Sequence, residues 1–368
     1  MDAAQHRAID ADLHLPLPTV RQLVPHLDPY WADQVVRRNI DRAPFALTAY
    51  PPRAPLTCRE DWRGLSSPAE VIAHGLDPFG SAIAIGSHLH GVVALNNPDM
   101  AAALVAAVND HMRTAWLDAS PRLRGSILVS LEDPALAVAE IERLAPDPRF
   151  VQVLVPLMAE APIARRVYWP ILAAAERHGL ALAVHAGSLY RHAPAVSGWP
   201  SHQFEDYVLQ GPGFENLVLA LLAEGVFGKF PRLKVVLLEA GFMWLPTLLW
   251  RIDKTWRGVR PEVPWIDRPP SEILKGRLFW TLQPVDAPGP AELSRTLAMI
   301  ARRLGGLDWL LFATDWPHRQ FAGARALPEG LPAAALPAIL AGNALAAYPR
   351  LAADPAARAL AGRKEAAT

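Results

Sequence analysis

Short apolar runs alternate with longer amphipathic stretches along this chain, and that rhythm predicts repeated strand–helix units. Eight apolar runs read as strands: residues 9–14, 82–85, 125–131, 150–155, 181–185, 234–238, 278–281 and 310–314. Eight is the number that a closed parallel (β/α)8 barrel of the TIM type requires. The intervening stretches carry helix punctuation. Asn97-Pro98 offers an N-cap and a first-turn proline, and opens a stretch to about residue 116. Within it Met100, Leu104, Val108 and Met112 recur every four residues, as one buried stripe does. Asp133-Pro134 opens the next helix, Gly179 closes one over residues 168–178, and residues 343–348 form the last.

Two long insertions interrupt the rhythm, residues 15–80 after the first strand and 186–213 after the fifth, and a shorter one covers 261–275. All three are expected near the mouth, because loops after strands build the active-site face of a barrel. No linker divides the chain, so residues 1–368 read as a single α/β domain with a frayed tail after about residue 360.

Composition narrows the classes. Of the 368 residues 51% are hydrophobic and 20% charged, enough for a sizeable core. Lys+Arg and Asp+Glu both number 36, and no basic stripe points to nucleic acid. No run of about 18 apolar residues suggests a membrane span. The start, MDAAQHRAID, has no apolar signal segment. Cys58 is the lone cysteine, which excludes an internal disulfide and a multi-thiolate metal site. It reads as a buried thiol, and the cytoplasm as the compartment.

The chemistry lies where the strands end. The first ends Asp10-Ala11-Asp12-Leu13-His14, the fifth in His185, the sixth in Glu239 and the eighth in Asp315. Residues two apart on a strand share a face, so Asp12 and His14 point the same way, about 6–7 Å apart. Burying such groups without partners is costly. Carboxylates and imidazoles converging on one rim are compensated by one divalent cation, and these donors suit zinc, manganese or iron.

These motifs resemble the amidohydrolase superfamily, and specifically its amidohydrolase-2 branch related to aminocarboxymuconate semialdehyde decarboxylase. The resemblance rests on residues 9–14, on "ALAVHAG" at 181–187, on "LFATDWPH" at 311–318, on an E-x-G-x-x-W-L-P pattern starting at Glu239, and on Gly342-Asn343-Ala344. It implies one metal ion held by Asp12, His14, His185 and Asp315, with zinc the first expectation and manganese or iron the alternatives. It also suggests a homodimer. Two departures stand out. Glu239 stands where many members have histidine, and residues 150–156 lack the lysine of dinuclear members.

The resemblance makes Asp315 both ligand and proton acceptor, with Glu239 a second shuttle or an orienting group and His318 a partner of water or substrate. Trp199, Trp244 and Trp316 are expected to wall the pocket for a small-molecule substrate, and Arg191 and Arg319 to meet a substrate carboxylate. His192, His202, Glu205 and Asp206 read as solvated loop groups. His88 and His90 are not expected to be ligands. The first functional reading is a metal-dependent hydrolase. The alternative is a non-oxidative decarboxylase of an aromatic or unsaturated acid. A third, a non-catalytic ligand-binding barrel, would call for a broken ligand set, yet Asp12, His14, His185 and Asp315 are all present.

Overall fold

The computed structural model describes residues 8–43, 64–194, 198–318 and 326–361. Eight parallel strands follow one another in chain order around a barrel. They are β1 (Ala8–His14), β2 (Ser81–Ser87), β3 (Leu123–Leu128), β4 (Phe150–Met158), β5 (Ala181–Ser188), β6 (Val235–Leu238), β7 (Leu278–Thr281) and β8 (Leu310–Leu311). Nearly every strand residue is buried, because helices cover the outside and side chains fill the inside. The expected order is therefore observed, with ends that shift by a few residues.

β8 is shorter than the apolar run 310–314 predicts. Ala11 N donates to Phe312 O at 2.9 Å and Asp315 N to Asp12 O at 3.2 Å, so β1 and β8 do close the barrel. Between those bonds the Asp10 carboxylate replaces the backbone as acceptor. It takes Thr314 N at 3.0 Å and the Thr314 hydroxyl at 2.6 Å.

Helices after the strands start as their caps dictate. Asn97 accepts from Met100 N at 3.0 Å, ahead of the helix Pro98–His111. Asp133 accepts from Ala135 N at 2.7 Å, ahead of Pro134–Leu144. Both satisfy amides that a first turn leaves bare. The stripe Met100, Leu104, Val108 and Met112 is buried throughout. Gly179 takes the left-handed conformation, φ 64°, that ends Trp169–Arg177.

The insertions hold more regular structure than their prolines suggest. Asp28 caps the helix Pro29–Arg37 inside the first. In the second, a helix runs over Gln203–Ala223, starting ten residues before the insertion's expected end at 213. Gly211-Pro212-Gly213 reads as a breaker, yet Glu205 nucleates the helix upstream by accepting from Ser201 N at 2.7 Å and His202 N at 2.9 Å. In the third, Asp253 pins the short helix Pro270–Leu274 by accepting from Ser271 N at 3.0 Å and its hydroxyl at 2.7 Å. Cys58, Arg319 and most of the expected tail lie outside the described residues. Among the described residues no helix is long and apolar enough to cross a membrane.

Candidate metal centre

Six side chains meet at the C-terminal rim of the barrel: Asp12 and His14 from β1, His185 from β5, Glu239 after β6, and Asp315 and His318 after β8. Two overlapping groups of four, Asp12–His14–His185–Glu239 and His14–Glu239–Asp315–His318, each have donor atoms within 4.8 Å of one another. The strand period delivers the β1 pair. Glu239 and Asp315 arrive differently, each the first residue past its strand run and each at φ 55°. A left-handed carboxylate residue is strained, and such strain gathers at functional sites. Glu239 N is fixed by the Thr281 hydroxyl at 3.1 Å, which sets the turn.

Ring orientation follows from the other nitrogen. His185 Nδ1 lies 2.7 Å from the Ala186 carbonyl, which can only accept, so Nδ1 keeps its proton and Nε2 is the nitrogen that faces the cluster. His14 Nε2 lies 3.2 Å from His185 Nε2. That matches the chord of about 3.0–3.4 Å between two nitrogens bound at about 2.1 Å to one cation. Glu239 Oε1 sits 2.9 Å from His14 Nε2, 3.4 Å from His185 Nε2 and 2.9 Å from His318 Nδ1. Asp315 Oδ1 is 3.2 Å from His14 Nε2 and 2.8 Å from His318 Nδ1.

Both Asp12 oxygens and Asp315 Oδ2 are buried without a hydrogen-bond partner among the described residues. Orphaned carboxylate oxygens cost several kcal/mol unless a cation meets them. Carboxylates and imidazoles facing one another in this way fit a divalent ion in either group of four, with His14 and Glu239 common to both.

Without a cation, protons do its work. Burial pushes the Asp12 carboxyl up to about 6, against the pull of His14 and His185. Burial opposes a charged His185, but Glu239 and Asp12 outweigh it and hold the imidazole up to about 9. The same balance holds His318 well above its ordinary range, through Asp315 and Glu239. A binding ion displaces these protons, so affinity rises with pH. For His185 the sign is definite. Its raised value stabilises the metal-free fold below about 6.5, and that contribution is lost as pH climbs through about 9. Metal affinity is thus expected to strengthen steadily from pH 6 to pH 9, by about tenfold per pH unit for each proton released. Equilibrium dialysis across that range checks it, and a flat profile would contradict the proton count.

A cavity of about 530 Å3 opens beside Glu239. Tyr207, Met243, Trp244 and Pro284 form its apolar walls, with Gly187, Gln210 and Asp286 among the polar lining. Gly241 is φ +57°, and a side chain there would strike the Asp286 carboxylate. Of the tryptophans expected at the pocket, only Trp244 lines this cavity. Trp316 is 1% exposed, and its ring packs against Gly75 instead. Trp199 is 52% exposed and away from the lining.

Arg191 is also spent elsewhere. It pairs with Glu132 at 2.5 Å, bonds Ala94 O at 3.2 Å and contacts Asn96. It buttresses the loop after β5 rather than facing a substrate carboxylate. Arg191→Ala is expected to cost about 1–3 kcal/mol of stability, as loss of a charged hydrogen-bond network does, and to leave substrate affinity unchanged. Denaturant titration beside substrate binding distinguishes the two, and weakened substrate binding at unchanged stability would overturn this placement.

The other loop groups fall as expected or turn inward. His192 bonds the Ala159 and Ala193 carbonyls, and His202 and Glu205 serve the helix start. His90 bonds the Pro18 carbonyl, and neither it nor His88 joins the donor cluster. Asp206 is the exception: it is buried, with both oxygens unpartnered among the described residues. Asp10 is the contributor the sequence reading passed over. It shares the face of Asp12 and His14, and that period-two repeat was the available signal.

Comparisons with known proteins bear on the family and on the fold. A family model described as Amidohydrolase matches residues 9–350. A gamma-resorcylate decarboxylase of Polaromonas sp. strain JS666 is 28% identical over 225 residues, a match covering 57% of this chain and 64% of that protein. The chain thus spans just under two thirds of that relative's length. The crystal structure of 5-carboxyvanillate decarboxylase from Sphingomonas paucimobilis is similar with a TM-score of 0.65 at 21% identity, over 93% of this chain and 99% of that one. A dihydroxybenzoic acid decarboxylase from Polaromonas sp. JS666, solved with manganese and 2-nitroresorcinol, has a TM-score of 0.62 at 21% identity, over 93% of this chain and 96% of that one. At such identities the structural likeness speaks for the barrel fold.

Proposed function

The chain belongs to the amidohydrolase family, and from that membership we propose that it is a metal-dependent, non-oxidative carboxy-lyase acting on a small aromatic acid. The observation that carries the reading is the buried His/Asp/Glu donor cluster, whose Glu239 also lines an aromatic-walled cavity. Hydrolysis was the first expectation from sequence. Relatives that match in sequence are named gamma-resorcylate decarboxylases, which moves the preference to the alternative.

Asp12, His14, His185 and Asp315 would hold the ion, with Glu239 adding a third carboxylate. That oxygen-rich set suits manganese, the ion in the dihydroxybenzoic acid decarboxylase structure, better than zinc alone. When bound, the cation supplies Lewis acidity that anchors an anionic substrate oxygen. The remaining work falls to protein groups. Loss of carbon dioxide from an aromatic acid exchanges a C–C bond for a C–H bond, so a proton must reach the carbon that carried the carboxylate. Asp315 and His318, joined at 2.8 Å, are the proton-holding pair. The bonding electrons of the broken C–C bond take that proton, and carbon dioxide leaves. Trp244, Tyr207 and Met243 seat the ring and exclude water.

Turnover in heavy-oxygen water tests this. The proposal expects one carbon dioxide per product molecule and no solvent oxygen in the organic product. Solvent oxygen in the product, without carbon dioxide, would restore the hydrolase reading.

A further inference from the structure

The seam between β1 and β8 is built unlike the other strand pairs. Three successive amides, those of Thr314, Asp315 and Trp316, are all tied back to β1 or to a side chain that β1 holds. Asp315 N bonds Asp12 O at 3.2 Å in ordinary ladder fashion. Thr314 N instead bonds Asp10 Oδ1 at 3.0 Å. Trp316 N bonds the Thr314 hydroxyl at 3.2 Å, and that hydroxyl donates to Asp10 Oδ2 at 2.6 Å. The same Asp10 Oδ1 accepts from Asp12 N at 3.2 Å. One carboxylate therefore grips the backbone on both sides of the cluster. Asp12 and His14 follow it on β1, and Asp315 and His318 follow its partner Thr314.

We propose that Asp10 and Thr314 together are a positioning element of the metal centre, fixing the spacing of the two donor-bearing segments without themselves reaching the ion. Two observations favour positioning over simple barrel closure. Asp10 and Thr314 are both 0% exposed, and a carboxylate in so dry a place is an expensive way to join two strands that backbone bonds already join. Moreover, the chain turns into the left-handed conformation at Asp315, φ 55°, immediately after the Thr314 grip. Release of Thr314 frees the residue whose backbone strain aims the Asp315 carboxylate. Groups that orient metal donors from behind typically change affinity by about 10–100-fold when lost.

The test uses the full chain, stripped of metal and titrated with manganese. Thr314→Val keeps the shape and removes the hydroxyl. Thr314→Ser keeps the hydroxyl, and Asp10→Asn keeps the volume while turning one acceptor into a donor. Manganese affinity by equilibrium dialysis is read beside the denaturant midpoint of each metal-free protein. The proposal expects Thr314→Val and Asp10→Asn to bind manganese about 10–100-fold more weakly, with Thr314→Ser close to wild type. It also expects an altered manganese paramagnetic resonance spectrum in the first two. Lower midpoints with unchanged manganese affinity and spectrum would make the pair merely structural and overturn the proposal. If Thr314→Val does not fold, Asp10→Asn against Thr314→Ser decides the same question. None of these readouts depends on which reaction the site performs.

Discussion

Asp315→Asn is expected to lower turnover by at least about a thousandfold while leaving the fold intact, within the range that loss of a proton-transfer group produces. The fold survives because Asn is, with Asp and Gly, among the residues that tolerate the left-handed backbone found there, φ 55°. Its volume also suits a site that is 1% exposed. What it loses is the charge that faces His318 and His14, and with it the capacity to hold and release a proton. Asp315→Ala adds backbone strain to the same loss, so it should be the less stable of the two. Circular dichroism, metal content and turnover measured on one preparation separate these effects. Turnover of Asp315→Asn within about twofold of wild type would remove the residue from the proton path.

The second large effect is expected at His185, through metal-linked stability. Its ring is 0% exposed and its Nε2 points at the cluster. At metal concentrations about 100 times the dissociation constant, binding stabilises wild type by about 2.7 kcal/mol. That should raise the melting temperature by several degrees. His185→Ala lacks a donor and leaves a buried void, which costs about 2–5 kcal/mol as other large-to-small core changes do. Its melting temperature should fall and then stay there when metal is added. A rise with metal equal to that of wild type would show that His185 is no ligand.

Much of this site was legible in the sequence, for a physical reason. Strand periodicity puts Asp12 and His14 on one face, and an apolar run that stops at a polar residue marks a rim position, as at His185 and Asp315. Side-chain partners are another matter, because the sequence shows neighbours along the chain and not across it. Arg191 looked free for a substrate until Glu132 and Asn96 appeared beside it. Trp316 sits next to a ligand in sequence, yet its ring turns away against Gly75. Glu239 read as a shuttle or an orienting group, while its Oε1 lies among three imidazoles as a donor would. The helix Gln203–Ala223 was hidden by Gly211-Pro212-Gly213, since local breakers are visible and the capping by Glu205 that outweighs them is not.

Everything proposed for this chain depends on the cluster holding a cation. The most direct measurement is manganese stoichiometry by equilibrium dialysis on stripped wild-type protein, with His185→Ala purified alongside. About one manganese per wild-type chain, absent from the variant, is the expected result for a single centre that uses His185. No bound manganese, zinc or iron in the wild type, or equal binding by both proteins, would contradict it.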